Sequence, residues 1–229
     1  MTPNEARRTG NQTGFGSPAN KALAVAGLML AIGLPGLAIT RAWSMPSLSD
    51  SAAVLMVTAT PFLVLLWVAW VEKRPLASIG IRRLTWSTVA YGVAGVVVNV
   101  AISGVIGHLF GPETQTAAMT RLLSGPGWIV VAVVTSGAML TEIAFRGYAI
   151  ERISELAGCN LWFGAIVQLV FTTALFIESR GLSHGMIWLI DDIVFNWLYI
   201  RRRDTNACLI AHAIPNFVAS TLVATGLAS

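Results

Sequence analysis

The sequence predicts an all-α, polytopic membrane protein, a bundle of about seven transmembrane helices. Three observations carry that prediction. The first is composition: 55% of the 229 residues are hydrophobic and 11% are charged, against roughly 25% charged in a soluble domain. The second is segmentation. Apolar stretches recur at about residues 21–40, 52–71, 85–110, 127–145, 160–177, 185–200 and 206–228, each near the ~20 residues that cross a bilayer. The third is the placement of charge between them.

Taken in order, residues 1–20 are polar and rich in Gly, Asn and Thr, and read as a disordered cytoplasmic tail without the apolar run of a signal peptide. Residues 21–70 supply two N-terminal membrane helices, and the remaining segments follow across separators rich in Gly, Pro, Ser and charge. Seven spans put the tail and the even-numbered loops on one side. That side gathers Arg7, Arg8 and Lys21, then Lys73, Arg74, Arg82 and Arg83, then Arg146 and Arg152, then Arg201, Arg202 and Arg203. These are twelve of the 15 basic residues; Arg41, Arg121 and Arg180 fall on the other side. Basic residues are retained in the cytoplasm, so the N-terminus is expected inside and the C-terminus outside. The pI near 9.6 does not indicate nucleic acid, because the basic residues lie in short loops rather than on one soluble face. Two cysteines, Cys159 and Cys208, form no C-x-x-C, which excludes a disulfide framework and a zinc-thiolate site of the usual spacing.

Charged groups inside spans cost about 3 kcal/mol or more, so each asks for a reason. Glu142 lies near the inner end of the fourth span, four residues before Arg146. Asp191 and Asp192 stand in the middle of the sixth, where adjacent carboxylates repel unless one is paired or protonated. His184 opens the sixth span from the outer side. His212 and Asn216, four apart on the seventh, share one helical face. Singly, each has a plain structural reading: a helix-end ion pair, a buried histidine, an interhelical amide bond. Depth brings them together. At 1.5 Å per residue, Glu142 lies about 6 Å and His212 about 9 Å from the inner ends of their spans, with Asn216 and Asp192 at about 13–15 Å. Three helices carry polar groups at overlapping depths, and one shared cavity satisfies them more cheaply than three separate burials in lipid.

The run Thr141-Glu142-Ile143-Ala144-Phe145-Arg146-Gly147-Tyr148 resembles the first motif of the CPBP intramembrane proteases. That family comprises the type II CAAX prenyl endopeptidases and their bacterial bacteriocin-processing and self-immunity relatives. His212-Ala213-Ile214-Pro215-Asn216 resembles its third motif, and the loop from Glu72 to Arg83 is similar to the segment before its core. The resemblance covers about residues 70–225 and implies a CPBP-like protease core over 71–229. It also implies peptide hydrolysis inside a membrane cavity. A glutamate of the first motif activates water, its neighbour and the arginine structure the site, and the third-motif His and Asn stabilise the oxyanion. Carried onto this chain, Glu142, Arg146, His212 and Asn216 are the catalytic candidates. No cofactor is required; a divalent metal belongs to an older description of the family. The implied partners are a membrane-associated protein or peptide substrate and the bilayer, and the implied location is the bacterial inner membrane.

Two positions depart from the family pattern. Thr141 stands where the first glutamate of the pair belongs, and Leu175 where the histidine of the second motif, Phe-x-x-x-His, is expected after Phe171. Shifting the register to Phe176 gives Arg180 instead. A threonine hydroxyl cannot act unaided as a general base. Thr141, Asp191, Asp192, His184 and Glu178 are therefore the candidates to supply what the pattern lacks. A non-catalytic family member, acting in immunity, sequestration or chaperoning, is the second reading. A small transporter would be marked by an inverted repeat, and none is visible.

The charge asymmetry yields a topology test. Cysteines at 121 and 202 are expected to label from opposite membrane faces with an impermeant maleimide; labelling from the same face refutes the seven-span arrangement.

Overall fold

Positions that force a helix to begin or end set the frame. The computed structural model describes residues 17–36, 50–110, 126–180 and 182–225, and among these there are seven helices and no strand. Helix α1, Pro18–Gly36, starts at a Ser-Pro signal: the Ser17 hydroxyl accepts from the Asn20 amide at 3.2 Å and proline occupies the first turn. The helix thus claims Pro18 to Asn20 from the tail expected over 1–20; residues 1–16 lie outside the described residues. Helix α2 runs Asp50–Leu66 and continues as a π-turn, Trp67–Val71. A short 3₁₀ turn, Leu76–Ile79, closes on Gly80 at φ 79°, a left-handed value that suits glycine. Helix α3 is Trp86–Phe110. Helices α5, α6 and α7 are Leu161–Arg180, Leu182–Arg202 and Thr205–Ala224.

Helix α4 departs most from expectation. The apolar run stops at Phe145, where a span was expected to end, yet the helix continues from Gly127 to Ala157. Its 31 residues would extend about 46 Å at the usual rise, well beyond a ~30 Å hydrocarbon core. Residues Thr141–Ile150 form a π-helix, all ten of them buried. Such helices are rare, usually single-turn, and often found at functional sites. Arg146 and Arg152, counted above as loop residues, are instead inside this helix, 1% and 0% exposed. Likewise Arg201 and Arg202 complete the last turn of α6, leaving Arg203 at φ 48° and Asp204 to make the connection.

The bundle is inverted relative to a soluble protein. Val93, Val97, Ile166, Val170 and Phe217 face outward, while Arg146, Arg152, Glu142 and Gln168 are among the fully buried side chains. Among the described residues four helices, α1, α4, α5 (Leu161–Glu178) and α7, are long and apolar enough to cross a membrane. In α2 and α3 the apolar helical stretches are the shorter Thr58–Val71 and Trp86–Ile102. The chain is a polytopic membrane helix bundle with α4 at its centre, touching α2, α5 and α7. Small residues bring the helices close: beside Gly95 of α3 lies the Ala211 methyl of α7, and beside Gly164 of α5 the Ile150 carbonyl of α4. The segment 72–85, the end of α4 and the turn between α6 and α7 meet at one end of the bundle, where Thr205 N–H donates to the Gly80 carbonyl at 3.0 Å.

A Cβ at position 164 would lie 2.3 Å from the Ile150 carbonyl oxygen and 2.4 Å from Ser154 Oγ, whereas one at 137 meets nothing within 4 Å. Gly164→Ala is therefore expected to destabilise the protein by about 1–3 kcal/mol. Gly137→Ala should be neutral or stabilise it by up to about 1 kcal/mol. Thermal unfolding in detergent checks the pair; equal melting temperatures refute the close α4–α5 contact.

Candidate functional site

Four helices converge on one guanidinium. Arg146 of α4 donates from Nη1 to Glu142 Oε1, one i,i+4 step back, at 2.5 Å, and from Nη2 to Asp192 Oδ1 of α6. Both carboxylates and the arginine are essentially inaccessible, at 0–3% side-chain exposure. From α7, His212 Nδ1 lies 2.6 Å from the same Glu142 Oε1. A carboxylate that also receives Arg146 accepts here, so His212 Nδ1 is the donor in this contact. The ring packs against Phe195 of α6, centroids 5.3 Å apart, and Arg146 sits 4.9 Å from that ring's centroid. His212 retains 15% side-chain exposure, the most accessible member of the group.

The cluster continues into α5. Thr172 donates its hydroxyl to Asp192 Oδ2 at 2.7 Å, and Gln168 donates to the same oxygen at 3.3 Å. Asn196 in turn donates to Gln168 Oε1 at 2.7 Å. Gln168 and Thr172, then Asp192 and Asn196, are each four apart, so each pair shares a face and the two faces meet. The sequence reading missed Gln168, Thr172 and Asn196. Their signal was the matched i,i+4 spacing of polar residues on consecutive helices.

Of the other expected site residues, Thr141 donates to the Ala138 carbonyl at 2.9 Å, and its oxygen lies 3.2 Å from His212 Nδ1. Asn216 is half-buried one turn beyond His212. Between them Pro215 withholds the N–H that would bond the Ala211 carbonyl. Asp192 joins the cluster; Asp191 is half-buried beside it. Glu178 is exposed toward the end of α5. His184 lies on α6, its side chain outside the described residues. Leu175 is buried, and its side chain lies against Gly36 of α1. Glu142 Oε2 and Arg146 Nε are buried without a hydrogen-bond partner among the described residues.

These residues do not fit a divalent metal. Among the described residues no three His, Cys, Asp or Glu side chains group closely enough to hold one. The cation between Glu142 and Asp192 is the Arg146 guanidinium, so the two carboxylates face it from either side rather than converging on a shared position.

A second polar network secures the end of α4. Arg152 donates to Glu72 at 2.5–3.1 Å and to Glu155 at 3.1 Å, Tyr148 donates to Glu72 at 2.6 Å, and Arg74 grips Glu155 in a bidentate pair at 2.7 and 2.8 Å. Glu151 accepts from Tyr199 at 2.8 Å and from Arg203. Burial opposes the charge on Arg203, yet the hydrogen bond and the charge of Glu151 hold its pKa above the ordinary value. The motif helix is thereby pinned at both ends.

Residues 123–218 match the family model described as type II CAAX prenyl endopeptidase, Rce1-like. Every member of the buried cluster falls inside that segment, as do both motifs on which the resemblance was read. Over that segment the chain is similar to the CPBP-type intramembrane proteases, and the segment is carried by a membrane helix bundle. No curated protein and no solved structure matches the chain.

Removing one partner of a buried ion pair strands the other charge and costs about 3–5 kcal/mol. Asp192→Ala is expected to lose that much. Thr172→Val, which removes one hydrogen bond to a charged group, should lose about 1.5–3 kcal/mol. Melting in detergent measures both; an Asp192→Ala protein as stable as its parent refutes the Arg146–Asp192 pair.

Proposed function

We propose that this protein is an intramembrane endopeptidase that cleaves a membrane-associated protein or peptide, and that His212 rather than Glu142 takes the proton from the attacking water. The observation that carries this reading is the 2.6 Å contact between Glu142 Oε1 and His212 Nδ1. Glu142 is enclosed, and the same oxygen also receives Arg146. Such a carboxylate is poorly placed to meet water itself but well placed to orient an imidazole, the role a buried carboxylate plays in a Ser-His-Asp triad. With Nδ1–H directed at Glu142, Nε2 is the free base, on the one ring of the cluster that reaches accessible surface.

In this scheme Nε2 withdraws a proton from water as its oxygen attacks the scissile carbonyl. The resulting oxyanion is met by the amide N–H₂ of Asn216, one turn further on α7. The imidazolium then returns its proton to the leaving amine, and the peptide bond breaks with water's atoms divided between the two products. Arg146 does not touch substrate; it holds Glu142 in place. The substrate would enter from the bilayer of the bacterial inner membrane, with the N-terminus of the chain cytoplasmic.

One observation favours a second reading, a non-catalytic family member serving immunity, sequestration or chaperoning. The Thr141 hydroxyl stands where the family's water-activating glutamate belongs, and it is spent on the Ala138 carbonyl.

Cleavage of a tail-labelled membrane peptide in proteoliposomes separates the two. His212→Gln and Glu142→Gln are each expected to slow cleavage by at least about 10²-fold, the usual contribution of a general base. Wild-type protein that fails to cut peptides processed by a relative with paired glutamates supports the non-catalytic reading. Cleavage gained on Thr141→Glu with Leu175→His would then show that only those groups are missing.

A further inference from the structure

The arginines whose side chains are among the described residues divide into two populations. Arg74, Arg146, Arg152 and Arg203 are all ion-paired. Arg82, Arg83, Arg201 and Arg202 have no acidic partner among the described residues, and they gather at one corner of the bundle. The loop carrying Arg82 and Arg83 is fastened to the α6–α7 turn by three bonds. These run from Thr205 N–H to the Gly80 carbonyl at 3.0 Å, from the Thr205 hydroxyl to the Ile79 carbonyl at 2.6 Å, and from the Asn206 amide to the Arg82 carbonyl at 2.6 Å. Arg201 and Arg202 end the helix leading into that turn. Arg202 lies 4.2 Å from the ring centroid of Tyr91 in the first turns of α3, and its Nε is buried without a hydrogen-bond partner among the described residues.

Among the described residues no acidic side chain pairs with this corner. Asp204, two residues after Arg202, is 6% exposed. Its oxygens are taken by the Thr88 hydroxyl at 2.7 Å and by the first amides of α7. Apolar surface continues directly from the charges. Trp86 is 89% exposed and Leu84 66%, and Trp197 stacks under Arg201 at 5.3 Å. Along α3, Val93 and Val97 carry the exposed face away from the arginines. Tryptophan is favoured at the level of lipid headgroups, and basic pockets between membrane helices bind anionic headgroups.

We propose that Arg82, Arg83, Arg201 and Arg202 form a binding site for the phosphate headgroup of an anionic phospholipid, with its acyl chains lying along α3. An acidic soluble peptide would match the charge but would leave Leu84, Trp86 and the α3 valines uncovered, which is why the lipid is the better occupant.

The test is native mass spectrometry of the full chain released from detergent with phosphatidylglycerol or phosphatidylcholine. One phosphatidylglycerol is expected to be retained in preference to phosphatidylcholine. Arg82→Gln/Arg83→Gln/Arg201→Gln, all at exposed positions, should weaken that retention by roughly fivefold for each arginine removed. Arg202→Gln should weaken it similarly. The triple Arg→Lys variant should bind like wild type, which separates charge from any loss of folding. Lys21→Gln/Lys73→Gln, two exposed cations outside the corner, should bind unchanged. Equal loss in the corner and control variants overturns the proposal in favour of diffuse charge attraction. Displacement of the lipid by comparable inorganic phosphate or by an acidic peptide overturns it in favour of a small-anion or protein site.

Discussion

A guanidinium stripped of water in the middle of an apolar bundle is the constraint around which this structure is arranged. An isolated arginine at such a depth costs several kcal/mol, and a single counter-charge does not recover its desolvation unless the remaining donors and acceptors are also met. Arg146 is met from both sides, by Glu142 of its own helix and Asp192 of α6. Two carboxylates against one arginine leave excess negative charge, and this is distributed over neutral donors: the imidazole N–H of His212, the Thr172 hydroxyl and the Gln168 amide. The positions of α5, α6 and α7 relative to α4 follow, since each supplies at least one of those groups. Loosening any one helix would expose an unpaired polar group to hydrocarbon, where it has no solvent to fall back on.

The same logic explains why the motif helix can be unusual. Thr141–Ile150 is held as a π-helix between two polar networks, the Arg146 cluster and the Glu72–Arg152–Glu155 group with Tyr148. A helix of that kind is less favourable than an α-helix and survives where its surroundings determine it. Here those surroundings are two sets of ionic contacts directed to different sides. Glu142 and Arg146 turn toward α6 and α7, while Tyr148 and Arg152 turn toward the loop after α2. Gly147 lets that loop approach closely: a Cβ there would meet the Ile79 carbonyl at 2.7 Å and Thr205 Oγ1 at 2.9 Å. The end of α4, the loop after α2 and the start of α7 are thus one packed unit.

What the sequence made legible follows from how each residue announces itself. Glu142, Asp191, Asp192 and His212 stand out because a charge in an apolar run is costly and rare, and the structure brings three of them to Arg146. Gln168, Thr172 and Asn196 are neutral and barely disturb hydropathy, so only their paired spacing marked them. The fourth helix continues past the end of its apolar run for a related reason. Hydropathy prices Arg146 as an unpaired charge and therefore puts it in a loop; its true cost is set by Asp192, 46 residues away in sequence. The π-helix left no trace in the sequence pattern because tertiary contacts, not local preference, impose it. The motif spacing was the most informative signal for the family, and the 123–218 match covers the segment where that spacing lies.

The replacement at position 141 also bears on where chemistry can occur. A glutamate there would place a second carboxylate beside Glu142 on the same side of Arg146. The chain instead has its second carboxylate, Asp192, on the far side, bound by Thr172 and Gln168 and 2% exposed. Asp192 therefore restores charge around the arginine without restoring a base that water can reach. What remains beside His212 is the Thr141 oxygen, 3.2 Å from Nδ1, a neutral atom that leaves the Nδ1–Glu142 hydrogen bond undisturbed. In the proposed scheme, hydrolysis would rest on His212, the more accessible side chain at 15% exposure, rather than on the enclosed Glu142. The number of acidic groups in the core says little about activity here; the orientation of one imidazole, fixed through Glu142 by Arg146, says more.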